Sequence, residues 1–511
     1  MEEVKIRELP EKPSISGSDY VVIEDQDGTK RVLVKNFRSL VLTSLYFKSI
    51  DDLKNSTDRG LKEGDICETL GYYTPGDGGG ARYRITYNPG AVEDGKFVHY
   101  LSYSDTLRAE IILEDTIHVN QFGAKGDGNH DDTSAIQAAL DNSDTRTVLF
   151  RKGRKYLTRD IIKVNYSNTV INGNGATLFP HYVNGIIVNP DDDTVSDITI
   201  DDLNFDCSAA TSAVKVNKAS SVSINNCIVS GISNKGIHVT DSSHVYIKLC
   251  RLTGSTYSTG VLLDGDSCSN VTIKTCRFDT FAKGISIDNT GLNLKSTVRI
   301  DNNIYDSSVN NSVCVHVSND VNSIIMNSNI VENANTFLYS GGAGKISCNG
   351  LISNTSKVFD ILNANCSLHL NGLLTVGTNS VLFPRMAGKL HSDIMWNQLP
   401  NGASFSNIPT GELFDSIMPY GYNETGYSMS GNKLTLREAR NMYVDWTIST
   451  GNLNAIDNGI KGQLLYIKSS TNKSIIAVAN KIVLSESSIV LGPYKGILLK
   501  YDGSKWIQIS Y

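Results

Sequence analysis

Five segments of the chain can be set beneath one another: 197–205 (DITIDDLNF), 221–229 (SVSINNCIV), 244–252 (HVYIKLCRL), 270–278 (NVTIKTCRF) and 297–305 (TVRIDNNIY). Each alternates apolar and polar residues, then places Leu203, Cys227, Cys250, Cys276 or Asn303 at the same point, at offsets of 24, 23, 26 and 27 residues. The pattern continues more weakly through Asn329, Leu351 and Leu373, at offsets of 26, 22 and 22. A second alternating run follows in each repeat, at 213–218, 236–241, 260–265, 284–289 and 314–319, and in it Gly236, Gly260 and Gly284 stand 24 apart. Alternation marks half-buried strands, and two or three short strands per repeat cannot close a core alone. They can do so as stacked coils of a parallel β-helix, with Ile237, Val239, Val261, Leu263, Ile285 and Ile287 forming inward ladders. Propeller blades need repeats of about 40 residues. The period therefore predicts a mostly β chain with a right-handed parallel β-helix over 117–385.

Composition agrees with that reading. The 511 residues include 43 Gly against 11 Pro, with 40% hydrophobic and 20% charged residues, too apolar for disorder. A net charge of −6 and a pI near 5.9 argue against a nucleic-acid groove. No stretch is long and apolar enough for a membrane span, and MEEVKIRELP has neither the basic nor the apolar region of an export signal. The nine cysteines include no CxxC pair and no metal spacing with His, and read as reduced core residues. Ahead of the repeats, Asp132 or Thr133 can cap a short helix near 132–141 whose face of Ala135, Ile136, Ala139 and Leu140 would cover the first coil. Residues 1–116 lack the repeat and form a separate region. Beyond 385 the period is lost: 386–461 reads as a transition, and 462–511 as a β-rich sandwich or prism domain of antiparallel strands. Tyr494, Tyr501 and Trp506 there suit sugar stacking or a domain core.

FGAKGDGNHDDTSAIQAAL (122–140) resembles the signature that opens the pectate-lyase-like β-helix domain of phage tail spikes, and NTVINGNGATL (168–178) is similar to that family's first coils. Residues 6–37 and 64–85 resemble N-terminal modules of tail or appendage proteins from phages of Gram-positive bacteria. Together the resemblance covers roughly 6–380 and lies toward the teichoic-acid-degrading preneck appendages of Bacillus-type podoviruses. It implies a homotrimer joined to virion tail or neck proteins through residues 1–116. It also implies a virion protein made in the host cytoplasm that meets a bacterial cell-wall glycopolymer, with neither nucleic acid nor membrane insertion. A C-terminal chaperone removed from a precursor is also conceivable. Leu262 and Ile325, read as outward apolar residues, would be covered by trimer formation.

The strand register also places candidate chemistry. On one face, Lys215, His238, Leu262, Ser286 and His316 form one outward column and Asn217, Thr240, Asp264, Asp288 and Ser318 the next. Asp264 and Asp288 fall on adjacent coils, about 5 Å apart. Such a pair can share a proton, hold a divalent cation such as calcium, or work as acid and base, with His238 and His316 as proton donors. The bland alternative is a solvated face whose aspartates start turns. A second-choice pair, Asp279 and Asp306, aligns with Asp206, Ser230 and Thr253, with Arg251 and Arg277 two positions earlier. Stacked arginines suit a phosphate or acidic glycan, or make surface ion pairs. Catalytic candidates are thus Asp264, Asp288, His238 and His316, with substrate contacts at Arg251, Arg277, Tyr501 and Trp506. The carboxylate motifs of pectin hydrolases are missing: Asn234-Lys235, Ser258-Thr259 and Ala282-Lys283 stand in their places. Three functions fit: a glycopolymer depolymerase, hydrolase or lyase; a non-catalytic receptor-binding spike; and a structural fibre.

Overall fold

A computed structural model describes residues 20–25, 28–33, 45–56, 60–141, 147–189, 195–288, 297–377, 380–381 and 384–396. Toward the C-terminus it describes 427–430, 432–436, 442–445, 452–459, 461, 463–468, 473–478, 481–491 and 496–510. Contacts divide the chain into two units, Met1–Leu113 and Glu114–Tyr511.

Parallel strands stacked in three sheets build the second unit, and each coil contributes one strand to each sheet. The first sheet runs from Thr116–His118 through Ser196–Asp201, Ser220–Asn225, Ser243–Lys248 and Val271–Lys274 to Lys389–Trp396. The second holds the short strands Asn204–Asp206, Ile228–Ser230, Arg251–Thr253, Arg277–Asp279 and Ile304–Asp306. The third holds Ser212–Asn217, Lys235–Thr240, Thr259–Asp264, Lys283–Ile287 and Val313–Val317. Inward partners match as predicted: Ile237 sits on Val261 and Val261 on Ile285, all fully buried. This is a right-handed parallel β-helix, and its first sheet adds one more strand, Lys389–Trp396, beyond residue 385.

The repeat marker proves to be a corner residue. Between the first and second sheets each coil spends one residue in the left-handed region: Asp202, Asn226, Leu249, Thr275, Asn302, Ser328, Gly350 and Gly372, with φ between 50° and 76°. That single residue swings the chain from one sheet to the next. The following side chain, Leu203, Cys227, Cys250, Cys276, Asn303, Asn329 or Leu351, drops into the core. Asn303 can replace a cysteine there because its Oδ1 accepts the Cys276 N–H (2.9 Å) and its Nδ2 donates to the Ile273 carbonyl (3.0 Å). In the next coil the register slips by one after Gly372, so Leu374 is buried and the expected Leu373 is 45% exposed.

Gly236, Gly260 and Gly284 answer a close approach. A Cβ on Gly260 would stand 2.6 Å from the Gly284 carbonyl oxygen and 2.7 Å from the Phe278 ring. The helix Thr133–Asp141 buries Ala135, Ile136, Ala139 and Leu140 as expected. Its capping differs from expectation: the Asp132 carboxylate turns back to accept the N–H groups of Lys125 and Gly126, and Asp131 accepts from Thr133. All nine cysteines are free and buried.

The C-terminal strands correct the expected loss of period. Lys433–Leu436 pairs in parallel with Ala455–Asp457, Met442–Asp445 with Leu464–Lys468, and Asn452–Leu453 with Lys473–Ile476. Partners such as Lys433 and Ala455 are 22 residues apart, the spacing of Ser323, Lys345, Ser367 and Lys389 in the preceding coils. Antiparallel pairing, the expected kind, appears in the Leu464–Lys468, Gly496–Tyr501 and Trp506–Ser510 strands. One core of Leu434, Leu453, Leu465, Ile475, Leu491, Ile497 and Trp506 joins these strands.

In the first unit, Tyr20–Asp25 and Gly28–Leu33 form an antiparallel hairpin. A five-stranded sheet follows in the order Leu45–Phe47, Ile66–Thr69, Arg82–Tyr87, Ser104–Ile111, Val98–Leu101. Ser49 caps the short helix Ile50–Lys54, and Phe47, Ile50, Leu53, Cys67, Tyr83, Ile85 and Leu101 close its core.

Candidate functional site

Pairing in the third sheet puts Lys215 beside His238, His238 beside Leu262, Leu262 beside Ser286, Ser286 beside His316, and His316 beside Tyr339. Two residues further along the same strands, Thr240 pairs with Asp264, and Asp288 donates its N–H to the Leu263 carbonyl. Four successive coils thus carry His238, Asp264, Asp288 and His316 in that order. Outward side chains on a sheet alternate with the core ladder, so a rigid packed interior fixes this row.

Each carboxylate belongs to its own histidine, and no proton is shared between the two. His238 Nε2 lies 2.8 Å from Asp264 Oδ2. Asp288 Oδ1 accepts from the hydroxyls of Ser286 (2.9 Å) and Ser318 (2.5 Å), with His316 Nδ1 3.6 Å away. Lys283 Nζ is 4.0 Å from the other oxygen of Asp288. Burial pushes both carboxyls up, but the hydrogen bonds outweigh it. Asp264 is lowered by the bond and charge of His238 and by Thr240; Asp288 is held well below the usual carboxylate range by His316, Ser318, Ser286 and Lys283. A proton-sharing dyad would raise one carboxyl, whereas both are lowered here. Among the described residues no group of three or more His, Cys, Asp or Glu side chains is placed to hold a metal.

Three neighbours escaped the sequence reading as site residues. The Tyr339 ring stacks parallel on His316, with centroids 4.9 Å apart at 5°. Asp360, almost fully buried, accepts a two-pronged bond from Arg385 (2.7 and 2.6 Å), one and two coils on in the same column. The steps from His316 to Tyr339, Asp360 and Arg385 are 23, 21 and 25 residues, so a fixed spacing of 22 reaches only Asp360. Leu262 is a correction: at 7% exposure it is covered by its neighbours and offers no apolar surface to a partner.

On the second sheet the predicted register of Arg251 with Arg277, and of Asp279 with Asp306, is present. The arginines are engaged there. Arg251 Nε and Arg277 Nε both bind Asp279 (2.8 and 2.7 Å), and Arg277 Nη2 reaches Asp306 (3.2 Å) and Glu332 (2.9 Å). Two guanidinium groups face three carboxylates, so the cluster carries an excess of negative charge and is a poor receptor for an anion. Trp506 is fully buried in the C-terminal core with Tyr501 packed against it, so its ring is closed to a sugar. Tyr494 lies outside the described residues.

Comparison with known proteins gives the same fold. The family model for the right handed beta helix region matches residues 184–358. A tailspike protein gp49 from Acinetobacter baumannii bacteriophage Fri1, a capsular polysaccharide depolymerase, superposes with a TM-score of 0.52 at 14% identity, covering 73% of this chain and 76% of that one. The tailspike protein of Acinetobacter phage vB_ApiP_P1 gives 0.51 at 14% identity, covering 92% and 91%. Likeness at such identities is one of fold: the chain is built as a right-handed β-helix of the kind phage tailspikes carry. In sequence, a capsule K30/K69-specific depolymerase of Klebsiella phage K64-1 is 51% identical over 41 residues, which is 8% of this chain and 5% of that protein's length.

Proposed function

We propose that the chain is a phage tail spike whose β-helix binds and cleaves a bacterial surface glycopolymer during adsorption. Wall teichoic acid of a Gram-positive host is the substrate class that the sequence resemblance favours. The observation that carries this reading is the third-sheet row of two His–Asp pairs, partly exposed and rigidly backed, on a fold shared with a capsular polysaccharide depolymerase. Residues 1–116 attach the spike to the virion tail or neck, and the working form is a homotrimer. Deleting residues 1–113 should leave a folded spike that no longer joins particles, and normal incorporation would refute the attachment. Sedimentation of the full chain as a single copy would refute the trimer.

The test of activity is incubation of the full chain with cell walls or capsule from strains it binds, following release of reducing ends or phosphate. Turnover is expected, with Asp264→Asn or Asp288→Asn lowering it by about 10²-fold or more. Full activity in both variants would remove this site. A non-catalytic receptor-binding spike is the second reading, favoured by the two carboxylates being held ionised as binding groups would be. Tight binding with no release would establish it.

A further inference from the structure

The hydrogen bonds around Asp288 fix the state of its histidine. An ionised carboxylate has only acceptor atoms, so the Ser286 and Ser318 hydroxyls that contact Asp288 Oδ1 must both give it their protons. Their lone pairs then face His316 Nδ1, at 3.4 Å from Ser286 and 3.2 Å from Ser318. Nothing on that side of the ring can donate: the two hydroxyls have spent their hydrogens and the carboxylate has none. His316 Nδ1 therefore carries the hydrogen. In the neutral ring, Nε2, which meets no hydrogen-bond partner among the described residues, then keeps the lone pair.

His238 is arranged the other way round. Its Nε2 is bound to Asp264 Oδ2 at 2.8 Å, so that nitrogen holds the hydrogen. Two histidines on one face thus present opposite nitrogens, and the His316 side chain is the more exposed of the two, 17% against 12%.

We infer that His316 is the proton-transfer group of this site, acting at Nε2, while Asp288, Ser286, Ser318 and Tyr339 are positioning residues that set its tautomer and ring plane. The inference rests on the depolymerase reading given above and deepens it. Both aspartates are held as acceptors for other groups, so neither is free to move a proton; the His316 Nε2 lone pair can take one from the attacking hydroxyl or water, and the imidazolium so formed returns it to the leaving oxygen. A serine-nucleophile triad is excluded by the same geometry. Such a triad needs the serine and the carboxylate on opposite nitrogens of the imidazole, and here both lie on the Nδ1 side. Stacking on Tyr339 holds the ring in plane from the next coil.

The tautomer can be read without a substrate. Full-length protein carrying 13C,15N-histidine is studied by magic-angle-spinning NMR at pH 8, with His316→Gln and His238→Gln assigning the two signals. The expected result is a Nδ1–H signature for His316 and a Nε2–H signature for His238, with the His316 preference weakened in Asp288→Ala and Ser318→Ala. A Nε2–H signature for His316 would overturn the assignment, as would an unchanged signal in both variants. If the wild type cleaves a polymer, His316→Gln should lose about 10²-fold or more, and Tyr339→Leu should lose less while Tyr339→Phe keeps the stack and the rate. The ascending or descending limb of the pH profile should disappear only in His316→Gln. The other charged or titratable groups around His316, namely Lys283, Asp288 and Tyr339, with Asp360 and Arg385 two and three coils along the column, leave that limb in place when changed singly to neutral residues, apart from Asp288, which shifts it. Retained cleavage in His316→Gln overturns the catalytic role. A wild type that cleaves nothing overturns the depolymerase reading and that role together, and the NMR result shows whether the tautomer assignment itself holds.

Discussion

Asp279→Asn separates scaffolding from chemistry more sharply than any change at the third sheet. The Asp279 side chain is 12% exposed and takes two charge-assisted bonds, from Arg251 Nε at 2.8 Å and Arg277 Nε at 2.7 Å. Bonds of that kind are worth about 1.5–3 kcal/mol each. Both arginines remain partly exposed, 59% and 33%, and regain water when released, which removes about half of that sum. The asparagine also turns an N–H₂ toward one guanidinium. The expected destabilisation is about 2–3 kcal/mol, concentrated in the coils that contain 251–253 and 277–279. Guanidinium unfolding of the full chain, followed by far-ultraviolet circular dichroism, should show it as a lower midpoint with an unchanged native spectrum. Polymer cleavage at 25 °C should match the unmodified chain, because Asp279 is enclosed by its arginines. An Asp279→Asn protein with normal stability and no cleavage would refute the argument and move the active site to the second sheet.

Two further outcomes follow from buried groups elsewhere. His99 in the first unit is 1% exposed, and burial, helped by Lys54, lowers its pKa to about 4 against the opposing pull of Glu93 and Asp94. Because the folded value lies below the ordinary 6.5, the stabilisation is complete above pH 6.5 and is lost as pH falls toward 4, about 3 kcal/mol in all. Tyrosine near-ultraviolet dichroism of the first unit should follow that loss, and an identical profile in His99→Leu would disprove the assignment. Gly260→Val would press side-chain carbon against the Gly284 carbonyl and Phe278 ring, and should cost about 1–3 kcal/mol or more; unfolding midpoints within error of the unmodified chain would show that the coils can part there.

Much of the architecture was legible because a β-helix repeats one local solution. The alternation of Ile237 with Val239 and of Val261 with Leu263 states which face is inside, and the offset between repeats states which residues touch. Register errors arise where a coil changes length without changing pattern. Leu373 and Leu374 are equally apolar, so only the left-handed Gly372 and the bulge beside it decide which is buried. The C-terminal domain misled for a different reason. Its parallel pairs span 22 or 23 residues but involve strands of two to five residues, too short for alternation to stand out, whereas the antiparallel strands at 496–510, six and five residues long, lie close together in sequence and dominate the reading.

The site divides along the same line. Column membership depends on backbone register, so the neighbourhood of His238, Asp264, Asp288 and His316 could be read from spacing alone. What each group does depends on side-chain direction, which spacing does not carry. Asp264 and Asp288 are one coil apart, as expected, yet each turns outward along the column to its own histidine, and two serines counted only as column members supply the bonds that hold Asp288 ionised. Arg251 and Arg277 show the converse: a column that reads as an anion receptor is closed by Asp279, Asp306 and Glu332 once the rotamers are seen. On a solenoid, therefore, sequence identifies which polar groups must compete for one another, and the outcome of that competition decides which remains for a ligand. On the third sheet, among the described residues, the ring nitrogens left over are His316 Nε2 and His238 Nδ1.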